Sequence, residues 1–202
     1  MNYQFPKIRC LDDVLPAIAG YDEFVVSDKD DFIVVNYVVT TDKTFVMTGP
    51  DDLDGAIRRE CRGLKFSPDG RIMARPFHKF FNVNEREETQ VHNLKWSNHN
   101  GHVITTKLDG SMIHPVTMKT GDIRWATKMG ITTVAMQAEE FIAQHVRFQV
   151  FAEICRIYKW TPIFEWTSPQ QQIVIRYPED SLTLLAVREN VTGKYLKIHG
   201  SS

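Results

Sequence analysis

Three short segments carry residue types that can act on a phosphate group. Lys107-Leu108-Asp109-Gly110-Ser111 directly follows the β-branched run Val103-Ile104-Thr105-Thr106, while Arg59-Glu60-Cys61-Arg62-Gly63-Leu64 and Phe164-Glu165-Trp166 both sit in strand-like sequence. A lysine leaving a strand into an Asp-Gly turn is held against a fixed backbone and can face a cleft. Its neutral amine is a good nucleophile, and neighbouring cations favour that neutral form. Lys79, Arg62 and Lys128 are candidates for those cations, and the same groups can hold phosphate oxygens. Taken alone, the pentapeptide reads more readily as a plain hairpin turn with Lys107 on a solvated flank.

Other chemistry is poorly represented. The chain has no G-x-x-x-x-G-K-[ST], no G-x-G-x-x-G and no G-x-S-x-G, so the common phosphate loops and the nucleophile elbow are excluded. His92, His99 and His102 are near one another without H-E-x-x-H or an adjacent cysteine, which fits a polar loop better than zinc. His78 and His114 fall in strand-like sequence and read as packing or hydrogen-bonding residues. Cys10, Cys61 and Cys155 are odd in number and widely spaced, as in a reduced intracellular protein. No apolar run approaches a membrane span and no signal segment opens the chain, so a cytoplasmic protein without membrane contact is expected.

The net charge of −1 over 202 residues hides an asymmetry. Residues 1–57 carry −7 (4 basic, 11 acidic), residues 58–128 carry +6 (13 basic, 7 acidic), and residues 129–202 carry zero (7 of each). The middle third is therefore an electropositive segment suited to phosphate.

The elements that must position these residues follow from periodicity. Leu11, Val14, Leu15 and Ile18 have helical spacing, and Gly20 ends that helix. Phe24–Val26 and Phe32–Val35 predict a hairpin, with Val38-Val39 and Phe45–Met47 extending the sheet. Asp51–Gly55 reads as a loop. Arg62–Phe66 and Arg71–Ala74 flank the turn Ser67-Pro68-Asp69-Gly70. A polar connection spans 82–100. Strands are expected at Val103–Thr106, Met112–Met118, Ile123–Ala126, Pro162–Trp166, Ile173–Arg176, Leu182–Val187 and Tyr195–Ile198. Residues 132–158 switch to helical period, as two helices or one broken one. Strands that do not alternate as βαβ predict an α+β fold with antiparallel sheet and flanking helices.

The ordered motifs resemble one family. Glu60-Cys61-Arg62-Gly63, Arg75-Pro76-Phe77-His78-Lys79-Phe80-Phe81-Asn82, Lys107-x-Asp109-Gly110-Ser111, Thr127-Lys128-x-Gly130 and Phe164-Glu165-Trp166-Thr167-Ser168-Pro169 with Ile173-Val174 occur in the order of the T-even-phage RNA ligase 1 family, a branch of the covalent nucleotidyltransferases. Leu184–Arg188 and Thr192-Gly193 extend the resemblance, which covers about residues 55–198.

The resemblance implies an ATP-dependent RNA ligase, or its N-terminal adenylyltransferase portion, in a single domain over residues 1–202. Lys107 would attack the α-phosphorus of ATP, expel pyrophosphate and keep AMP as a lysyl phosphoramidate. AMP would pass to an RNA 5′-phosphate, and an RNA 3′-hydroxyl would displace it. Mg²⁺ would assist. Arg62, Lys79, Phe81, Asp109, Gly110, Ser111, Lys128 and Glu165 match nucleotide-binding positions, and Glu165 also matches a position implicated in metal contact. The implied substrate is broken RNA such as a nicked tRNA, in a cell infected by phage.

Two departures qualify the match. Leu108 replaces a residue that is often acidic in the family. The family's later acidic-Gly segment and Lys-x-Lys pair have no match after Ser168: Glu179-Asp180 lacks the glycine, and Lys194-Tyr195-Leu196-Lys197 has the wrong spacing. The expectation is a domain incomplete at its C-terminus, partnered by a C-terminal fragment in trans. The alternative reading is a non-catalytic nucleotide- or RNA-binding remnant, or one half of a split ligase.

Overall fold

The computed structural model describes residues 4–49, 51–94 and 105–197. Two four-stranded antiparallel sheets lie between helical layers. The first has the order β1-β2-β3-β4, with β1 at Phe24–Asp28, β2 at Ile33–Tyr37, β3 at Arg62–Phe66 and β4 at Ile72–Ala74. The second has the order β6-β5-β7-β8, with β5 at Ser111–Thr117, β6 at Ile123–Ala126, β7 at Trp160–Thr167 and β8 at Ser181–Glu189. The α+β expectation therefore holds.

Three apolar clusters organise the layers. On the outer face of the first sheet, Phe24, Val35, Leu64 and Phe66 pack with Phe45 and with the helices α1 (Leu15–Ile18) and α2 (Leu53–Glu60). On the outer face of the second sheet, Ile113, Trp125, Phe164 and Trp166 pack against α3 (Thr133–Ala143) and α4 (Val146–Ile157). Between the sheets, Phe32 and Val34 meet Val116 and Ala126. Strand alternation explains the sorting: Val35 faces out while Val34 faces in, and Ile113 faces out while Val116 faces in.

The inner faces also carry charge. Lys65 lies between Leu64 and Phe66 on β3, so alternation turns it toward the second sheet. It is fully buried, and its Nζ donates to the carbonyls of Gly63 at 3.0 Å and Thr127 at 2.9 Å. His114 Nδ1 faces the Pro115 carbonyl at 3.0 Å, so it carries the ring proton. This leaves Nε2 to accept the third proton of the charged Lys65 amine at 2.9 Å, a bond lost when the amine is neutral. Burial pushes the Lys65 amine down to about 7 and the His114 imidazole well below its ordinary range.

The pH dependence follows in sign. Above pH 7 the unfolded chain still binds the lysine proton, up to its ordinary pKa of about 10.4, while the folded chain has released it. This group's contribution to stability therefore rises with pH from about 7 to about 10. We expect Lys65→Met to remove it. In urea melts at pH 7 and pH 9, wild type should gain stability relative to the variant, by at most about 1.4 kcal/mol per pH unit. A constant difference would show that Lys65 folds with its proton on.

Several sequence expectations change. The N-terminal helix is split into a 3₁₀ turn at Leu11–Asp13 and the short α1, with Pro16 in the first turn of α1. Residues 51–55 form no simple loop: Asp52 caps α2, its side chain accepting the Gly55 N–H at 2.8 Å. Turn-forming residues are also helix caps, and composition does not separate the two uses. Val38-Val39 and Phe45–Met47 are not strands. Phe45 instead enters the first core as a fully buried ring. Ile173–Arg176 forms no strand, because β8 already pairs with the free side of β7. Tyr195 makes one isolated bridge to Arg188, and Ile198 lies outside the described residues. Residues 132–158 resolve into two helices, α3 and α4.

Candidate active site

The Lys107 loop is fixed by its glycine. A Cβ on Gly110 would lie 2.1 Å from the Trp166 carbonyl oxygen, so only glycine lets the turn rest on the β7 backbone. The Gly110 N–H donates to Glu165 Oε1 at 3.0 Å. Phe164 and Trp166 face the helices, so Glu165 between them faces the other way. Burial raises the Glu165 carboxyl; the Gly110 N–H, Lys107 and Arg62 oppose that shift without reversing it. Ser111 opens β5 opposite Trp166. Lys107 itself is exposed in an irregular segment. The expected strand before it is not present at Thr105-Thr106, and Val103-Ile104 lie outside the described residues.

Asp109 plays a local part. Its carboxylate accepts the N–H groups of Val174 at 2.5 Å and Ile175 at 2.9 Å, and its own N–H donates to the Tyr177 hydroxyl at 2.8 Å. Those two N–H groups, Ile175 first, hold the carboxyl below its ordinary range. Asp109 therefore clamps the 173–177 segment beside the lysine.

The cations come from the first sheet and its following loop. Arg62 starts β3, and its guanidinium stacks over Phe80 at 5.2 Å, while its buried Nη1 has no hydrogen-bond partner among the described residues. A buried guanidinium nitrogen without an acceptor is costly, and an anion would satisfy it. Arg62, Lys79, Tyr37, Phe80, Asn82 and Glu85 line a cleft of about 180 Å³. The Lys79 ammonium is 3.9 Å from Glu85 and 4.6 Å above the Phe81 ring. Lys128 reaches the same cleft from the other sheet, with its Nζ 5.0 Å over Tyr37. Gly63 makes this approach possible: at φ +87°, a Cβ there would stand 2.7 Å from the Lys128 Cα.

Arg62 and Lys79 thus line one cleft, with Lys128 over Tyr37 at its side, while Lys107 and Glu165 are not among its lining residues. Phe81 turns instead to the first core, against Phe45, with Arg59, Lys79 and Arg86 around its face. Phe80, 57% exposed, is the ring that lines the cleft. Sequence reasoning passed over Phe80 because two adjacent phenylalanines look alike until a backbone direction separates them.

It also missed a buried ionic cluster. Glu60 Oε2 meets Arg75 Nε at 3.0 Å and Arg188 Nη1 at 3.0 Å, and Glu60 Oε1 meets Arg188 Nη2 at 3.1 Å. Arg75 and Arg188 are fully buried, and Glu60 is 1% exposed. Gly193 leaves no room for a side chain, since a Cβ would be 2.5 Å from the Arg75 guanidinium carbon. The four residues come from four separate motif segments. Their shared role is to lock α2, the chain after β4 and the end of β8 together, directly behind Arg62 and Lys79.

The donor set fits a nucleotide polyphosphate. Among the described residues no three His, Cys, Asp or Glu side chains are grouped to hold a metal. His99 and His102 lie outside the described residues. Among the described residues, no helix is long and apolar enough to cross a membrane.

A family model described as RNA ligase matches residues 60–202. The chain is 35% identical over 188 residues to a Thermovibrio ammonificans protein named "Putative RNA ligase", covering 92% of this chain and 46% of that one. It is 25% identical over 185 residues to RNA ligase 1 of Bacteriophage TS2126, covering 84% of this chain and 42% of that one. A 64-residue stretch is 39% identical to a Candida albicans tRNA ligase. The chain spans less than half the length of the first two relatives. With more than two thirds of its residues inside the matched family model, the chain belongs to the RNA ligase family.

Proposed function

We propose that this chain is the adenylyltransferase domain of an ATP-dependent RNA ligase. The observation that carries the reading is the buried Nη1 of Arg62, which has no hydrogen-bond partner among the described residues, in a cleft that Arg62 lines with Lys79. Arg62, Lys79 and Lys128 would bind the phosphates. The Lys107 Nζ, having lost a proton, would donate its lone pair to the α-phosphorus. The bond from that phosphorus to pyrophosphate oxygen would break, and pyrophosphate would leave with the electron pair. Glu165 would orient the nucleotide and supply one carboxylate oxygen to Mg²⁺. Mg²⁺ would neutralise charge on the leaving phosphates.

AMP would then pass to an RNA 5′-phosphate, and a 3′-hydroxyl would displace it to seal the strand. Nicked tRNA is the substrate class we favour, with the cytoplasm as the place of action. A C-terminal portion, in trans or in a longer chain, would add the cations that the family's Lys-x-Lys pair provides.

The test is incubation with α-labelled ATP and Mg²⁺, followed by mass spectrometry. Acid-labile AMP on Lys107 is the expected result, with higher yield when a C-terminal ligase fragment is added. No label under either condition would reject the reading. Gly110→Ala should cut the yield at least about tenfold, because the added methyl must push the loop off β7 by more than 1 Å. Unchanged yield would show that the loop has slack.

A further inference from the structure

A second concave site lies at the far end of the inter-sheet space. A cleft of about 640 Å³ opens between β4, the end of β5, α4 and the start of β7. Its floor is mostly aliphatic, with Trp160 at one side. Arg9, Arg71, Lys119, Arg156 and Lys159 stand around it, and Asp31 is the one acidic residue in its lining. Arg71 and Arg156 each hold a neighbouring carboxylate at 2.7 Å, from Asp69 and Glu153. Arg9, Lys119 and Lys159 make no salt bridge to any described carboxylate. The Asp31 carboxylate is turned to the Lys119 N–H, at 3.0 Å.

The rim carries stacked rings as well. Tyr158, 60% exposed, stacks on Trp160 with centroids 4.7 Å apart and planes 20° from parallel. Lys159 stands between them at φ +57°, a left-handed conformation more usual for glycine at the end of a helix. The pattern is a cationic groove with an aromatic platform at its lip. Single-stranded nucleic acid is held this way, by phosphate on cations and base on ring.

We propose that this cleft binds a single-stranded segment of the RNA substrate, away from the reacting ends. β5 connects the two places: Ser111 adjoins the Lys107 loop and Thr117 lines the cleft, about 20 Å apart at ~3.3 Å per residue. A strand whose end lies at Lys107 must continue across the surface, and this groove is both concave and positive. The inference rests on the ligase reading for the identity of the strand, and its test does not depend on catalysis.

The probe is a short fluorescein-labelled oligouridylate with a 5′-hydroxyl and a blocked 3′ end, which can be neither adenylylated nor joined. Lys119→Glu combined with Lys159→Glu should raise its Kd at least about tenfold and lower the salt slope of log K by about 1.4, for two lost phosphate contacts. Tyr158→Ala should raise Kd by about tenfold. Lys159→Arg should bind as wild type does. All these side chains are exposed, so thermal melts should be unchanged, and lysyl-AMP yield at Lys107 should match wild type. Equal Kd and salt slope in the double variant would overturn the proposal. So would displacement of the probe from wild type by tripolyphosphate at concentrations near the RNA Kd, which would assign the site to a free polyphosphate. If wild type forms no lysyl-AMP but the variants lose RNA binding, the ligase reading fails while this site stands.

Discussion

Lys107→Ala should eliminate label from α-labelled ATP to the background of the measurement. The reaction needs a lone pair on nitrogen at that position, and a methyl group offers none. Binding is a separate matter. Arg62, Lys79 and Lys128 come from β3, the chain after β4 and the turn after β6, so their placement does not depend on the side chain at 107. Lys107→Ala should therefore still bind ATP while failing to react with it. Lys107→Arg sharpens the comparison, because it keeps the positive charge near Glu165 but replaces the amine with a guanidinium that stays protonated. It should bind nucleotide and take no label either. A reduced but measurable yield in both variants would mean that another nucleophile accepts AMP. Unchanged label in Lys107→Ala would disprove the nucleophile assignment.

The contrast between Lys107 and its neighbours shows what was legible in the sequence. The lysine, its Asp-Gly turn and Glu165 are local patterns: a nucleophile beside a tight turn, and a carboxylate between two apolar strand residues. Strand alternation was enough to put Glu165 on the face opposite Phe164 and Trp166. The sheets and the two long helices were legible for the same reason, since period 2 and period 3.6 are written along the chain. Roles that depend on distant partners were not. The motif match gave Asp109 a nucleotide-binding position but not its partners: its carboxylate accepts the Val174 and Ile175 N–H groups, 65 and 66 residues away. Ile173–Arg176 looked like a strand because three of its residues are β-branched, but β8 takes the side of β7 that it would have joined. The turn residues of 51–55 concealed a helix cap. Which of Phe80 and Phe81 packs on the core and which lines the cleft was set only by the backbone. Glu60, Arg75, Arg188 and Gly193 were visible only as members of separate motifs, because nothing local announces that they meet.

That meeting has the second large consequence. Glu60→Gln should destabilise the fold by about 3–5 kcal/mol, the usual cost of removing one partner from a buried ion cluster. The amide keeps the shape of the carboxylate but leaves two buried guanidinium groups without an anion. It also directs N–H donors at groups that can only donate. Carbonyl acceptors remain, with Pro6, Asn190 and Val191 on Arg75, and Pro76 and Gly193 on Arg188. They satisfy hydrogen bonds without neutralising charge. A typical domain has only about 5–15 kcal/mol in reserve, so the midpoint of a urea melt at pH 7 should fall steeply. The pH dependence identifies the cause. Burial pushes the Glu60 carboxyl up, but Arg188 and Arg75 outweigh it and hold it below its ordinary range. Its contribution is therefore complete above the unfolded carboxylate pKa of about 4.3 and is lost as pH falls through the lower folded value. The gap between wild type and variant should be constant from pH 7 to pH 5 and narrow only in stronger acid. Loss of the cluster also frees the segments carrying Arg62 and Lys79, so lysyl-AMP formation should weaken even where the variant stays folded. A Glu60→Gln protein as stable as wild type at pH 7 would mean that the carbonyls alone hold the arginines.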